Sequence, residues 1–213
     1  MKYISIRNSL ILGCQERGHK YNKNLWLEQE KGPARLFVRP PCYNGRVIGI
    51  LSDSHDNLAA VRRAVRLFNE AGCDLVLHAG DIVAPFTVLE LRNLVCPVKA
   101  VFGNCDGEKK GLAAAFAGIG EVAEPPFAFV HAGRRFLLSH LPIPLGGRGR
   151  SPDFDVLVLG HTHKPQVRRN RGVLVINPGE AGGWLHGKST AALLDPKGLS
   201  ARIEVLKGEP VCL

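Results

Sequence analysis

Residues 47–55 read VIGILSDSH, an apolar run broken abruptly by a polar cluster. A short uninterrupted apolar run suits a strand buried on both faces. The pattern recurs downstream: residues 74–81 read DLVLHAGD and residues 97–106 read PVKAVFGNCD. Helical spacing fills the gaps. Leu58, Val61, Val65, Leu67 and Phe68 recur at near-helical intervals, with Arg62, Arg63 and Arg66 on the other side. Asp56 or Asn57 can cap that helix, and Gly72 ends it. Residues 85–94 read as a second helix. Strands alternating with helices predict a βαβαβ unit with parallel strands.

Working outward, an Ala/Gly-rich stretch from Gly107 to Gly118 reads as helical. The remainder is strand-rich, at 127–130, 135–139, 156–159, 173–176, 190–194 and 202–206, with a tight turn at Gly133. A second sheet packed on the first is the simplest account. The chain has 213 residues, 45% of them hydrophobic, which suits one domain with a sizeable core. No stretch approaches the ~18–20 apolar residues of a membrane span.

Residues 1–45 show no sustained period and carry much of the charge. Residues 1–46 hold nine Lys/Arg against three Asp/Glu, a net of +6 within a total of +9. The expected organisation is therefore a basic, weakly ordered extension at 1–45 and one domain at 46–213. Met1 is the only methionine, so a start near Val38 or Val47 is one expectation. A native N-terminal mass beginning at Met1 refutes it. Residues 1–14 faintly resemble a lipoprotein leader, but Arg7 and Asn8 interrupt the apolar run. The six cysteines are scattered with no C-x-x-C pair, and read as free thiols of a cytoplasmic protein.

In an open α/β sheet, ligands bind beyond the strand C-termini. There the sequence supplies Asp53 and His55, then Asp81, then Asn104, then His140, then His161 and His163. Each has a bland reading: an N-cap beside a surface histidine, an ordinary Gly-Asp turn, a turn asparagine. Gly160-His161-Thr162-His163 is stronger, because two histidines one residue apart can aim separate imidazoles at neighbouring ions. All five blocks in this order are hard to treat as coincidence. Mixed oxygen and nitrogen donors suit first-row cations such as Mn, Fe, Ni and Zn. No Cys-rich cluster offers a structural zinc site.

These blocks (D-x-H, G-D, G-N-C-D, a lone H, G-H-x-H) closely resemble the calcineurin-like metallophosphoesterase superfamily. The GNCD variant and the NPGE at 177–180 narrow the resemblance to the small phosphodiesterases of the bacterial YfcE type and their archaeal relatives. The resemblance implies an α/β fold, a four-layer αββα sandwich of two mixed β-sheets flanked by helices. It implies a metal-dependent phosphoesterase acting on small phosphate esters, diesters above all, by attack of a hydroxide bridging two divalent cations. Manganese is the first expectation; Ni, Fe, Zn and Mg are alternatives. Asp53, His55, Asp81 and His163 would hold the first ion, and Asp81, Asn104, His140 and His161 the second. The Asn104 amide would also stabilise charge on the phosphoryl oxygens. Because ligand histidines must be neutral, activity should fall in acid.

Two departures matter. Many superfamily members carry a histidine, able to protonate the leaving alkoxide, where Cys105 stands. A thiol is a weaker acid, which favours good leaving groups and diesters; Asp106 is either an assisting acid or a loop cap. Residues 141–151 are rich in Pro and Gly where relatives commonly place a partly helical cap. Arg148 and Arg150 there read as solvated charges, with a grip on a phosphate as the alternative. His78 reads as a packing or supporting residue, His131 and His186 as surface residues. Glu180 is a candidate to orient a ligand histidine. Trp184 reads as core by its type, with a rim aromatic or a homo-oligomer contact as the other readings. Two rivals stand beside the hydrolase. One is a nuclease or nucleic-acid binder, supported only by charge concentrated in the tail. The other is a non-catalytic scaffold, such as the retromer subunit that keeps this fold without a catalytic histidine. No membrane partner is expected.

Overall fold

The computed structural model describes residues 46–145 and 152–208. The expected extension at 1–45, Arg148, Arg150 and part of the 141–151 loop lie outside the described residues. In chain order the elements are β1 (Val47–Leu51), α1 (Leu58–Glu70), β2 (Cys73–His78), α2 (Pro85–Leu91), β3 (Val98–Val101), α3 (Lys109–Phe116) and β4 (Gly120–Ala123). Then follow β5 (Phe127–His131), β6 (Arg134–Leu138), β7 (Val156–Val158), β8 (Gln166–Asn170), β9 (Val173–Asn177), β10 (Thr190–Asp195) and β11 (Ser200–Val205).

The first sheet runs β11-β10-β1-β2-β3-β4 and the second β5-β6-β7-β9-β8. Strands β1 to β4 are parallel and β10 joins β1 antiparallel. In the second sheet β6, β7 and β9 are parallel, with antiparallel partners at both edges. Both sheets are mixed, as expected.

Alternation along β1 explains the layering. Val47 and Leu51 face one core with Val61, Val65 and Phe68 of α1, Val88 and Leu91 of α2, and Leu112 and Phe116 of α3. Ile48 and Ile50 face the other, against Phe136, Val158 and Ile176 of the second sheet. Burying each such side chain stabilises the fold by ~1.5–3 kcal/mol. Gly49 is demanded by closeness: a Cβ there would lie 2.6 Å from the Phe68 ring. The second sheet's outer face (Leu157, Val173, Val175) is covered by Ile143, Leu145 and Phe154. Among the described residues this outer cover is loop, as the prolines and glycines of 141–151 suggest.

Some expectations needed correction. Helix α2 stops at Leu91, short of residue 94. Strands β4 and β8 were not foreseen; both are sheet edges. Both are largely exposed, so they leave no apolar pattern to read. Asn57 caps α1, accepting from Ala60 N at 3.1 Å. Asp56 instead braces the start of α2, accepting from Ala84 N at 3.1 Å and Thr87 Oγ1 at 2.6 Å. The β5–β6 turn uses Ala132 and Gly133, both at positive φ, as a two-residue hairpin requires.

Candidate metal centre

The polar ends of β1, β2, β3, β6 and β7 converge at one edge of the sandwich. Backbone bonds lace their loops together. Asp53 N donates to Gly80 O, His55 N to Asp81 O, Gly160 N to His140 O and Gly182 N to Asp53 O. Asp53, His55, Asp81, His161 and His163 all sit at positive φ. That region is unfavourable for residues with a Cβ, and strain of this kind clusters where function over-determines geometry. Close packing adds to the constraint: a Cβ at Gly103 would lie 2.1 Å from the Asp81 carboxylate.

All seven predicted ligands lie in this cleft. His163 Nε2 is 3.4 Å from Asp53 Oδ1, and His55 Nε2 is 3.5 Å from Asp81 Oδ2. His140 Nε2 is 3.4 Å from the same Asp81 oxygen and 2.9 Å from Asn104 Oδ1. His161 Nδ1 is 3.0 Å from Asn104 Oδ1. Donor atoms of Asp53, His55 and His163 lie within 4.8 Å of one another, as do those of Asp53, Asp81 and His140. A third such group joins Cys105 to His55 and Asp81, a placement the sequence did not suggest.

The hydrogen bonds behind the histidines decide what these atoms offer. His140 Nδ1 lies 2.8 Å from Ala79 O, and His163 Nδ1 lies 3.1 Å from Glu180 Oε2. Each acceptor holds the ring proton on Nδ1, so each neutral ring turns an Nε2 lone pair towards the carboxylates. His55 Nε2 is buried with no hydrogen-bond partner among the described residues. Lone pairs converging on carboxylate oxygens repel one another, and a cation among them removes the conflict. The residues present fit a divalent metal.

The two carboxylates differ. Burial pushes the Asp53 carboxyl up, only partly offset by Ser52 and nearby histidines. Burial also pushes Asp81 up, but its contact with His140 and the hydrogen bond from Cys105 N outweigh it and hold Asp81 well below the usual range. Burial pushes the His140 imidazole down; the Asp81 bond and the Ala79 carbonyl overcome this and raise it. The exposed Cys105 thiol is raised, by desolvation first and Asp81 next.

The supporting residues are now clear. Asp106 accepts from Gly103 N, Asp81 N, Ile82 N and Val83 N at 2.6–3.1 Å. It is the loop cap, not an assisting acid. His78 is fully buried, its Nε2 3.1 Å from Ser54 Oγ. His131, expected at the surface, pairs with Asp74 at 3.3 Å. Trp184, read as core, is 64% exposed, and its indole N–H donates to His55 O at 3.2 Å.

The calcineurin-like phosphoesterase superfamily domain matches residues 47–198. The chain belongs to this superfamily. It is 34% identical to Phosphodiesterase MJ0936 of Methanocaldococcus jannaschii over 168 residues, 75% of this chain and 99% of that protein. It is 31% identical to Phosphodiesterase YfcE of Escherichia coli over 144 residues, 60% of this chain and 75% of that protein. A solved archaeal phosphodiesterase structure superposes with a TM-score of 0.68 at 32% identity, covering 75% of this chain and 99% of its own. This superfamily is metal-dependent, and the chain carries the candidate ligand groups just described. No described helix is long and apolar enough to cross a membrane.

Proposed function

We propose that this phosphoesterase hydrolyses phosphodiesters in the cleft between Asp53 and His163. The observation that carries the reading is the convergence of the His55, His140 and His163 Nε2 atoms on the Asp53 and Asp81 carboxylates at 3.4–3.5 Å, with His55 Nε2 buried and unpartnered among the described residues. Asp53, His55, Asp81 and His163 would hold one divalent cation; Asp81, Asn104, His140 and His161 would hold the other, with Asp81 common to both. Manganese is the first choice for this oxygen and nitrogen set. When bound, such a pair supplies a hydroxide nucleophile near neutral pH and positive charge for the phosphoryl oxygens.

The chain's own residues do the rest. Asn104 presents its amide at the cleft mouth, where it stabilises charge on a non-bridging oxygen. Cys105 stands beside it, with Asn104 Nδ2 3.3 Å from Sγ. Its raised thiol keeps its proton and gives it up poorly. Substrates whose leaving group departs unaided are therefore favoured, aryl diesters over alkyl monoesters. We assign residues 46–213 to the catalytic domain and 1–45 to an extension outside it. The free Cys73, Cys96 and Cys105 fit a reducing, cytoplasmic setting.

The test is a panel of aryl diesters, cyclic nucleotides and monoesters, assayed with Mn, Ni, Zn and Mg. The expected result is Mn-dependent diester turnover abolished by chelation. Cys105→His should raise monoester turnover relative to diester turnover by roughly tenfold or more. An unchanged ratio refutes the leaving-group account. A folded protein that takes up no Mn refutes the hydrolase and favours the scaffold. Loss of DNA binding on truncation at Arg46 would favour the nucleic-acid reading.

A further inference from the structure

Glu180 stands outside the seven-residue set, yet it is fully buried beside it. One carboxylate oxygen accepts from Leu185 N at 3.1 Å and His186 N at 2.5 Å. The other accepts from Leu185 N at 2.9 Å and from the His163 ring at 3.1 Å. The turn it closes touches the rest of one donor group. Gly182 N donates to Asp53 O at 2.9 Å, and the Trp184 indole donates to His55 O. Gly182 is pinched so closely that a Cβ there would lie 2.7 Å from the Trp184 ring and 3.0 Å from Ser54 O. Segment 180–186 therefore contacts Asp53, His55 and His163, whose donor atoms already lie within 4.8 Å of one another.

We propose that Glu180 is a positioning residue. Its carboxylate fixes His163 with the proton on Nδ1 and the Nε2 lone pair towards the cation, and the same group holds the Trp184 turn against His55. This rests on the metal reading above. Three N–H groups point at Glu180, and a carboxylate accepts all three. A glutamine offers one oxygen and one NH2. The two backbone donors are fixed by the turn and claim the oxygen. The NH2 then faces His163, which must turn an acceptor to it and carry its proton on Nε2. A protonated Nε2 cannot ligate a cation.

The test uses the full chain with Trp26→Phe, which leaves Trp184 as the only tryptophan. Three readouts are compared for wild type, Glu180→Gln and Glu180→Asp: Mn affinity by equilibrium dialysis, the His163 tautomer by 15N NMR of the metal-free protein, and Trp184 emission. The expected result for Glu180→Gln is ~10–100-fold weaker Mn binding, a His163 proton moved to Nε2 and shifted Trp184 emission. Glu180→Asp should recover part of each. Mn affinity within about twofold of wild type, with an unmoved tautomer, overturns the proposal while leaving the hydrolase reading standing. Should Glu180→Gln fail to fold, the wild-type tautomer decides: a proton found on Nε2 overturns the proposal. A wild type that binds no Mn sinks both readings.

Discussion

The two sides of the cleft hold their imidazoles by different means. On the Asp53, His55 and His163 side, the partly exposed His163 is backed by a carboxylate, Glu180. On the Asn104, His140 and His161 side, the buried histidine is backed by a backbone carbonyl, Ala79 O. A carboxylate makes the ring a better donor than a carbonyl does. The first side also contains the fully buried Asp53; the second has the neutral Asn104 between two rings. The difference teaches that one geometry can be reached with charge or with dipoles, and that charge should bind the tighter cation. Asp81 lies 3.5 Å from His55 and 3.4 Å from His140, so it belongs to both sides.

The largest expected effect comes from that shared residue. Asp81→Ala should lower diester turnover by at least ~10³-fold and reduce bound Mn at both sides. Asn104→Ala removes a donor from one side only and should cost ~10²–10³-fold while the tighter cation stays bound. Turnover and metal content per chain, measured together, check the pair. Equal losses of metal from the two variants would break the idea of two unequal sides joined at Asp81.

Next comes the brace beneath both sides. Asp106 ties the Gly80–Asp81 turn to the Gly103 turn through four backbone N–H groups. Asp106→Ala leaves several of these without a partner, at ~1–3 kcal/mol for each that stays dry. The expected loss is roughly 3–5 kcal/mol of stability, read from urea unfolding of the metal-free protein. A variant as stable as wild type with a displaced pH–rate profile would restore Asp106 as an acid.

How much of this was written in the sequence depends on what held each residue. Strands β1, β2, β3 and β9 are buried on both faces, so their apolar runs were plain, and the polar residues after most of them marked the cleft. Strands β4 and β8 are largely exposed, owe their place to backbone pairing and left no apolar mark. Trp184 was misread because residue type alone suggested burial, while its exposure follows from a turn anchored to His55 and Glu180. Asp56 and Asn57 were interchangeable as caps until the position of α2 was known. Glu180 could be suspected but not assigned, because its three donors come from residues 163, 185 and 186 and meet only in the folded chain.

The smallest effect concerns a support behind the shared Asp81. His78 lies behind Ser54, whose Oγ is also 3.4 Å from Asp81 O. Its Nδ1 is buried without a partner among the described residues. Burial dominates and pushes the imidazole down to about 4. In the unfolded chain the ring takes its proton near pH ~6.5. Between those values the unfolded state binds a proton that the native state refuses. The stability from this group is therefore complete above the unfolded value and is lost as pH falls towards the folded one. The expected loss is of order 1–3 kcal/mol between pH 6.5 and 4 in chelator-treated protein. His78→Gln keeps a polar contact for Ser54 but cannot titrate, so its urea midpoint should fall less over that window. If wild type and His78→Gln lose stability in parallel, the buried ring is not the titrating group. The acid sensitivity would then belong to the carboxylates of the cleft, and the contrast between its sides would have to be redrawn around Asp53.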